Sequence, residues 1–193
     1  MAKELFDLND LDSLVRQLIR ERPTIDLKDF NIPHYEIYSS YKSVDFSFTP
    51  NNHKKEIKEA VTSILEPLSG NQKVYDSLYT ALYEAVLNAQ QHGNKHDPNK
   101  KVTIAYKINK KSVEIAVIDE GGIIDMEFIP FILMHKGKKQ EEFIDFYKFT
   151  GRPKPITNNG TGTSFMHTYV DGVFYFKSGT GGLVVHLSKE IKK

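Results

Sequence analysis

The feature that most restricts this chain's fold is one long apolar stripe. From about Lys73 to Gln91, Leu78, Leu82, Ala85, Val86 and Ala89 recur at helical spacing, which predicts a helix that must bury one face against another layer. Strand patterns on either side supply that layer. Val44, Phe46 and Phe48 alternate with Asp45 and Ser47 ahead of Pro50 and predict a strand over 44–48. Residues 102–108 and 113–119 read as an antiparallel pair about a tight turn at 109–111, and 173–177 and 183–188 as a second pair about the glycine turn 178–182. A helix from about His53 to Leu68 carries Ile57, Val61, Ile64, Leu65 and Leu68 on one face and closes at Gly70 and Asn71. The order is strand, two helices, two strands, long loop, short helix, two strands. This predicts an α+β fold, a two-layer α/β sandwich in which a mixed five-stranded sheet carries helices on one face.

A length of 193 residues suits one domain with a proper core, here expected over 43–193 behind an N-terminal arm, 1–42. In the arm, Leu8, Leu11, Leu14, Val15, Leu18 and Ile19 predict an amphipathic helix over 9–22, whereas 23–42 shows no clear period and reads as a connecting segment that could cover a sheet edge. Residues 123–159 form a long, mostly irregular segment with a short helix expected near 141–149, and a segment of that kind within a compact domain reads as a lid, a binding loop or a disordered stretch.

A net charge of +1 provides no global field for nucleic acid or an anionic membrane, so partners must be recognised locally. The absence of cysteine excludes disulfides and thiolate chemistry and suits a reducing compartment. Ile129–Met134, the longest uncharged apolar run, contains Pro130 and falls far short of the roughly 20 residues of a membrane helix. With Glu4, Asp7 and Asp10 near the start there is no signal-peptide pattern, and a cytoplasmic protein is expected.

Three polar motifs interrupt the apolar pattern. On the long helix, Glu84, Asn88 and His92 follow at intervals of four and so lie near one another. Mg²⁺ keeps most of its waters and takes one or two protein oxygens beside nucleotide phosphates, a role within reach of a single Asn amide. A carboxylate one turn earlier can orient or deprotonate a hydroxyl. Taken alone, such a pair is more often simply the exposed face of a helix.

The run Val117-Ile118-Asp119-Glu120-Gly121-Gly122-Ile123-Ile124-Asp125 ends a strand with a carboxylate and two glycines. The carboxylate can accept the exocyclic amine of adenine while the glycines let backbone approach a ligand; an ordinary turn uses the same residues. In Asn159-Gly160-Thr161-Gly162-Thr163-Ser164-Phe165-Met166, glycines before a helix free N–H groups for phosphate oxygens, and the helix dipole favours negative charge. Without the Walker signature, a P-loop is not the competing account. Lys136, Lys138, Lys139, Arg152 and Lys154 are lid cations that could reach phosphates, although basic loops are commonly just solvated. Seven histidines offer no convincing zinc spacing beyond His92 and His96, and zinc is set aside.

Written out, Glu84-Ala-Val-Leu-Asn88-Ala-Gln-Gln-His92-Gly93-Asn94 resembles the N box of the GHKL ATPase and kinase superfamily, which includes gyrase, MutL and the histidine kinases. The likeness is strongest to the anti-sigma serine kinases of the RsbW and SpoIIAB kind, whose pattern is Glu-Ala-x-x-Asn-Ala-x-x-His. The Asp119 run resembles the first glycine box, with Ile123 at the last glycine but with Ile124 and Asp125 fitting the anti-sigma variant. The Gly160 run, leading into Val170-Asp171-Gly172-Val173, resembles the second. Gly181-Gly182-Leu183 resembles the closing Gly-Gly-Thr, with Leu183 in place of the threonine and Thr180 adjoining.

The resemblance covers roughly 43–190 and implies a histidine-kinase-like ATPase fold that binds ATP with Mg²⁺. It implies Asn88 as the metal ligand and Glu84 as catalytic base. His92, Gly93, Asp119, Gly121, Gly122, Gly160, Gly162, Thr163 and Ser164 join Asn88 around the nucleotide. It further implies a serine/threonine protein kinase that phosphorylates a regulatory partner, with a sigma factor or an anti-anti-sigma protein as partner and a homodimer as assembly, and no direct role for nucleic acid or membrane. Two alternatives stand beside it: a nucleotide-gated binding module without phosphotransfer, and a detached histidine-kinase ATPase domain.

Overall fold

The computed structural model describes residues 23–29, 31–136, 143–155 and 159–191. The helix expected over 9–22 lies outside them. The main sheet has five strands in the order β2 (Lys42–Phe46), β3 (Val102–Ile108), β4 (Ser112–Ile118), β7 (Leu183–Glu190), β6 (Gly172–Lys177). A separate two-stranded ribbon pairs β1 (Thr24–Asp26) with β5 (Ile123–Asp125). The helices are α1 (His53–Leu65), α2 (Gln72–Asn88), α3 (Phe128–Lys136), α4 (Phe146–Thr150) and α5 (Gly162–Tyr169). None of the described helices is long and apolar enough to cross a membrane.

The expected two-layer arrangement is present, with one correction: the sheet is not mixed. All four of its strand interfaces are antiparallel. Between β2 and β3 the chain runs through two helices, an even number of legs, and so re-enters the sheet in the opposite direction. β4 and β6 do point the same way, but β7 lies between them and pairs with both.

The predicted stripe is the spine of the core. Leu78, Ala81, Leu82, Ala85 and Val86 on α2 are fully buried in one cluster with Ile57, Val61 and Leu65 of α1 and Ile104, Ile115, Val117 and Leu187 of the sheet. Burying each large aliphatic side chain contributes about 1.5–3 kcal/mol. Asn71 caps the start of α2, its side chain accepting the Val74 N–H at 3.3 Å. Strand β2 stops at Phe46 because its partner begins at Val102; Phe48 leaves the ladder but stays in the core, stacked on Phe46 at 5.9 Å. Helix α1 tightens into a 3₁₀ turn, Glu66–Leu68, at Pro67.

The other face of the sheet carries a smaller cluster of Ala105, Ala116, Ile118 and Val184, with Tyr35, Tyr41 and Phe176 packed on it. The segment before β2 therefore covers this face. It also bonds to the end of β6, since Tyr35 N–H donates to Lys177 O at 2.9 Å and Lys177 N–H to Pro33 O at 3.0 Å.

Candidate functional site

The end of α2 changes its winding where the site begins. After Asn88 the chain forms a π-helical turn, Ala89–Gly93, in which Asn94 N–H donates to Ala89 O at 2.7 Å. Such turns are often found at functional positions. Asn94, fully buried, fixes this end: its Nδ2 donates to Lys101 O and its Oδ1 accepts the Glu120 N–H, both at 2.9 Å. One side chain thus ties the end of α2 to the start of β3 and the end of β4.

That clamp sets Gly93 against Asp119. A Cβ at 93 would collide with the Asp119 carboxylate, one at Gly121 would stand 2.8 Å from Gly93 O, and one at Gly182 would collide with Asp119 O. Three glycines from three segments enclose one carboxylate. Its Oδ1 accepts the N–H groups of Gly121 at 2.8 Å and Leu183 at 3.0 Å. Burial pushes its pKa up to about 6, against the pull of those two N–H groups and Lys100. Gly122, at φ 136°, takes a backbone conformation suited to glycine.

Glu84, Asn88, His92, Gly93, Asp119, Gly160, Gly162 and Thr163 all line one cavity of about 370 Å³. Its remaining wall is largely apolar, with Leu87, Val117, Ile124, Met166, Tyr175, Leu183 and Val185, as expected of a small-molecule site with a few polar anchors. Burial raises the Glu84 pKa, partly offset by Lys54. A Cβ at Gly162 would run into Glu84 Oε2, so the carboxylate stands directly against the second glycine turn at the start of α5. His92 is held below its ordinary pKa by burial and then by His96, against a raising effect from Asp125.

Three of the expected site residues do not line the cavity. Gly121 and Gly122 back the Asp119 turn. The hydroxyl of Ser164 donates to Ile144 O at 2.8 Å and lies 2.6 Å from His135 Nε2, joining the start of α5 to α3 and to the chain ahead of α4. Of the cations, Arg152 lines the cavity and pairs with Asp125 at 2.8 Å and Glu127 at 2.5 Å. Lys154 pairs with Asp145, and Lys136 stands 6.0 Å over the Tyr175 ring. Lys138 and Lys139 fall outside the described residues. Thr180 bonds to Ser178 within its turn at 2.8 Å and is not among the residues that line the cavity.

Comparison with known families gives a match over residues 46–189 to the histidine kinase-like ATPase domain. The chain belongs to that family. The match takes in α1, α2, strands β3, β4 and β6, nearly all of β7, and both glycine turns. An anti-sigma F factor of Geobacillus kaustophilus is 30% identical over 134 residues, covering 69% of this chain and 81% of that protein. One of Oceanobacillus iheyensis is 25% identical over 135 residues, covering 69% and 82%. Among solved structures, a chain of the SiaB–SiaC complex from Pseudomonas aeruginosa aligns over 97% of this chain and all of its own length, with 11% identity and a TM-score of 0.46. These relatives make this histidine kinase-like ATPase an ATP-binding regulator related to the anti-sigma factors.

Sequence reasoning missed several residues of the site. Thr24 and Leu27 line the cavity from β1 and the turn after it, Phe128 from α3, and Phe146 and Tyr147 from α4. The four residues Thr24-Ile25-Asp26-Leu27 carry too little alternation to have announced the first two. Gly182 could have been found from the spacing of the closing glycine pair.

Proposed function

We propose that this protein is an Mg²⁺-dependent serine/threonine kinase of the anti-sigma type, acting in the cytoplasm on a regulatory partner protein. In this reading residues 43–193 are the ATP-binding domain, with a lid at about 123–159. The single observation that carries it is the pairing of Glu84 and Asn88. They stand one turn apart on α2, both on the cavity wall, with the Glu84 carboxylate against the glycine turn that opens α5.

Asp119 would accept the adenine amine, its Oδ1 already steadied by two backbone donors. The N–H groups at the start of α5 would face the phosphates. The donor set suits a hard cation: one amide oxygen on Asn88 beside a carboxylate is what Mg²⁺ takes when phosphates supply other ligands. The ion would neutralise charge on the phosphates. The acceptor hydroxyl oxygen forms a bond to the γ-phosphorus while the bond from that phosphorus to the β,γ-bridging oxygen breaks. ADP leaves, and the hydroxyl proton passes to Glu84. A carboxylate whose pKa burial has raised is a better proton acceptor than a solvated one. The relatives' name, anti-sigma F factor, supports a sigma factor as partner, and an anti-anti-sigma protein and a homodimer are part of this reading.

A second reading, a nucleotide-gated binding module without transfer, is favoured by one observation: Arg152, the lid cation on the cavity wall, is engaged by Asp125 and Glu127. Incubating the full chain with γ-labelled ATP, Mg²⁺ and candidate partners separates the two. The kinase reading expects label on a partner hydroxyl, lost in Glu84→Ala while ATP binding persists. It fails if wild type binds Mg²⁺-ATP and labels no partner.

A further inference from the structure

Strand β1 belongs to the arm, yet it pairs with a strand inside the lid segment. Thr24 faces Asp125, Ile25 faces Ile124 and Asp26 faces Ile123. The ladder runs one step further at each end: Leu27 N–H donates to Gly122 O at 2.7 Å, and Met126 N–H donates to Pro23 O at 3.0 Å. The Leu27 bond lands on the glycine turn that follows Asp119. Leu27 is 1% exposed, belongs to neither hydrophobic cluster, and lines the cavity together with Thr24. A two-stranded ribbon by itself is marginal in water. Burial of Leu27 at the cavity wall therefore adds to the backbone bonds that hold β1 to β5.

We propose that Thr24–Leu27 is part of the nucleotide site: Leu27 walls the base end of the cavity beside the Asp119 turn, and nucleotide binding is coupled to docking of β1 on β5. This rests on the ATP reading above. An occupant that packs against Leu27 gains contact only when β1 is docked, so occupancy favours docking and docking favours occupancy to the same degree.

The test is calorimetry on the full chain with Mg²⁺-ATP, Mg²⁺-ADP and adenosine, comparing wild type, Leu27→Ala and Leu27→Met. Because Leu27 stands at the base end, Leu27→Ala is expected to weaken all three by the same factor, about tenfold, as a lost apolar contact in a pocket does. Leu27→Met, which keeps volume, should stay within about threefold of wild type. Hydrogen exchange on wild type provides an independent readout: saturating nucleotide should slow exchange of the Leu27 and Met126 amides. Should Leu27→Ala fold poorly, the Leu27→Met affinities and the wild-type exchange decide. Affinities unchanged in a folded Leu27→Ala, or arm amides indifferent to saturating nucleotide, overturn the proposal. If wild type binds none of the three ligands, the ATP reading fails first and the coupling falls with it.

Discussion

Gly93 and Asp119 stand so close that no side chain fits between them: a Cβ at 93 would strike the carboxylate, its carbon and its own Cβ together. The contact is possible because Asn94 holds the end of α2 against β3 and β4 by two hydrogen bonds of 2.9 Å. Gly93→Ala cannot be absorbed by swinging a flexible tip, because the whole Asp119 side chain is in the way. It should cost about 1–3 kcal/mol of stability, read by denaturant unfolding, and should remove ATP binding in calorimetry.

Asp119→Asn should separate stability from function. The native carboxylate is 4% exposed and burial disfavours its charge. Replacing it with a neutral amide that retains an oxygen for Gly121 and Leu183 should leave the melting temperature unchanged or raise it, while nucleotide affinity falls at least about a hundredfold, the scale for losing a required polar contact in a buried site. In wild type, ATP affinity should decline as pH drops below about 6, where Asp119 takes up a proton.

Two buried groups pull the pH dependence of stability in opposite directions. Asp119 is raised to about 6 from 3.8, so its contribution is fully present below pH 3.8 and is lost as pH rises through 6. His167 is lowered to about 4 from 6.5, chiefly by burial and then by His135 and Lys136; its contribution is present above 6.5 and is lost as pH falls through 4. Each amounts to at most about 3 kcal/mol. Between pH 4 and 6 they largely offset. Asp119→Asn should therefore unmask a steeper loss of melting temperature on acidification, and His167→Gln a rise, in scans at several pH values.

Gly162→Ala tests the placement of the carboxylate on α2. The added methyl meets Glu84 Oε2, the far end of a flexible side chain, so the chain should fold with a loss of under about 1 kcal/mol. With Glu84 as the proposed base, its displacement should slow transfer about tenfold or more. Glu84→Gln, which keeps the shape and removes the base, should slow it about 10²–10⁴-fold at little cost in ATP affinity. In wild type the rate should rise with pH through the elevated Glu84 pKa. A flat profile in steady-state kinetics contradicts that role.

Much of this was legible in the sequence because it rests on repeated local signals. The stripe Leu78, Leu82, Ala85, Val86 fixed the layer order, and the interval of four placed Glu84, Asn88 and His92 on one wall. What escaped depends on partners far along the chain. Three-residue strands such as Thr24–Asp26 carry too little alternation to announce themselves, and their pairing with Ile123–Asp125 is made by backbone. The same pairing accounts for Ile123 where a glycine was expected, since the chain goes straight into a strand. The direction taken by the Ser164 hydroxyl depends on His135 and Ile144, which no local pattern brings near it. Strand direction was misread because two helical legs reverse a chain that one would have kept parallel.

In the proposed site one cavity, walled by Asn88 and Asp119, binds ATP through the metal on its phosphates and the amine on its base. Calorimetric titration of Mg²⁺-ATP into wild type, Asn88→Ala and Asp119→Asn tests it most directly. Wild type should bind at a single site, both variants should lose ATP affinity, and Asn88→Ala alone should retain adenosine affinity. Wild type that takes up no ATP in saturating Mg²⁺, or three identical isotherms, would contradict it.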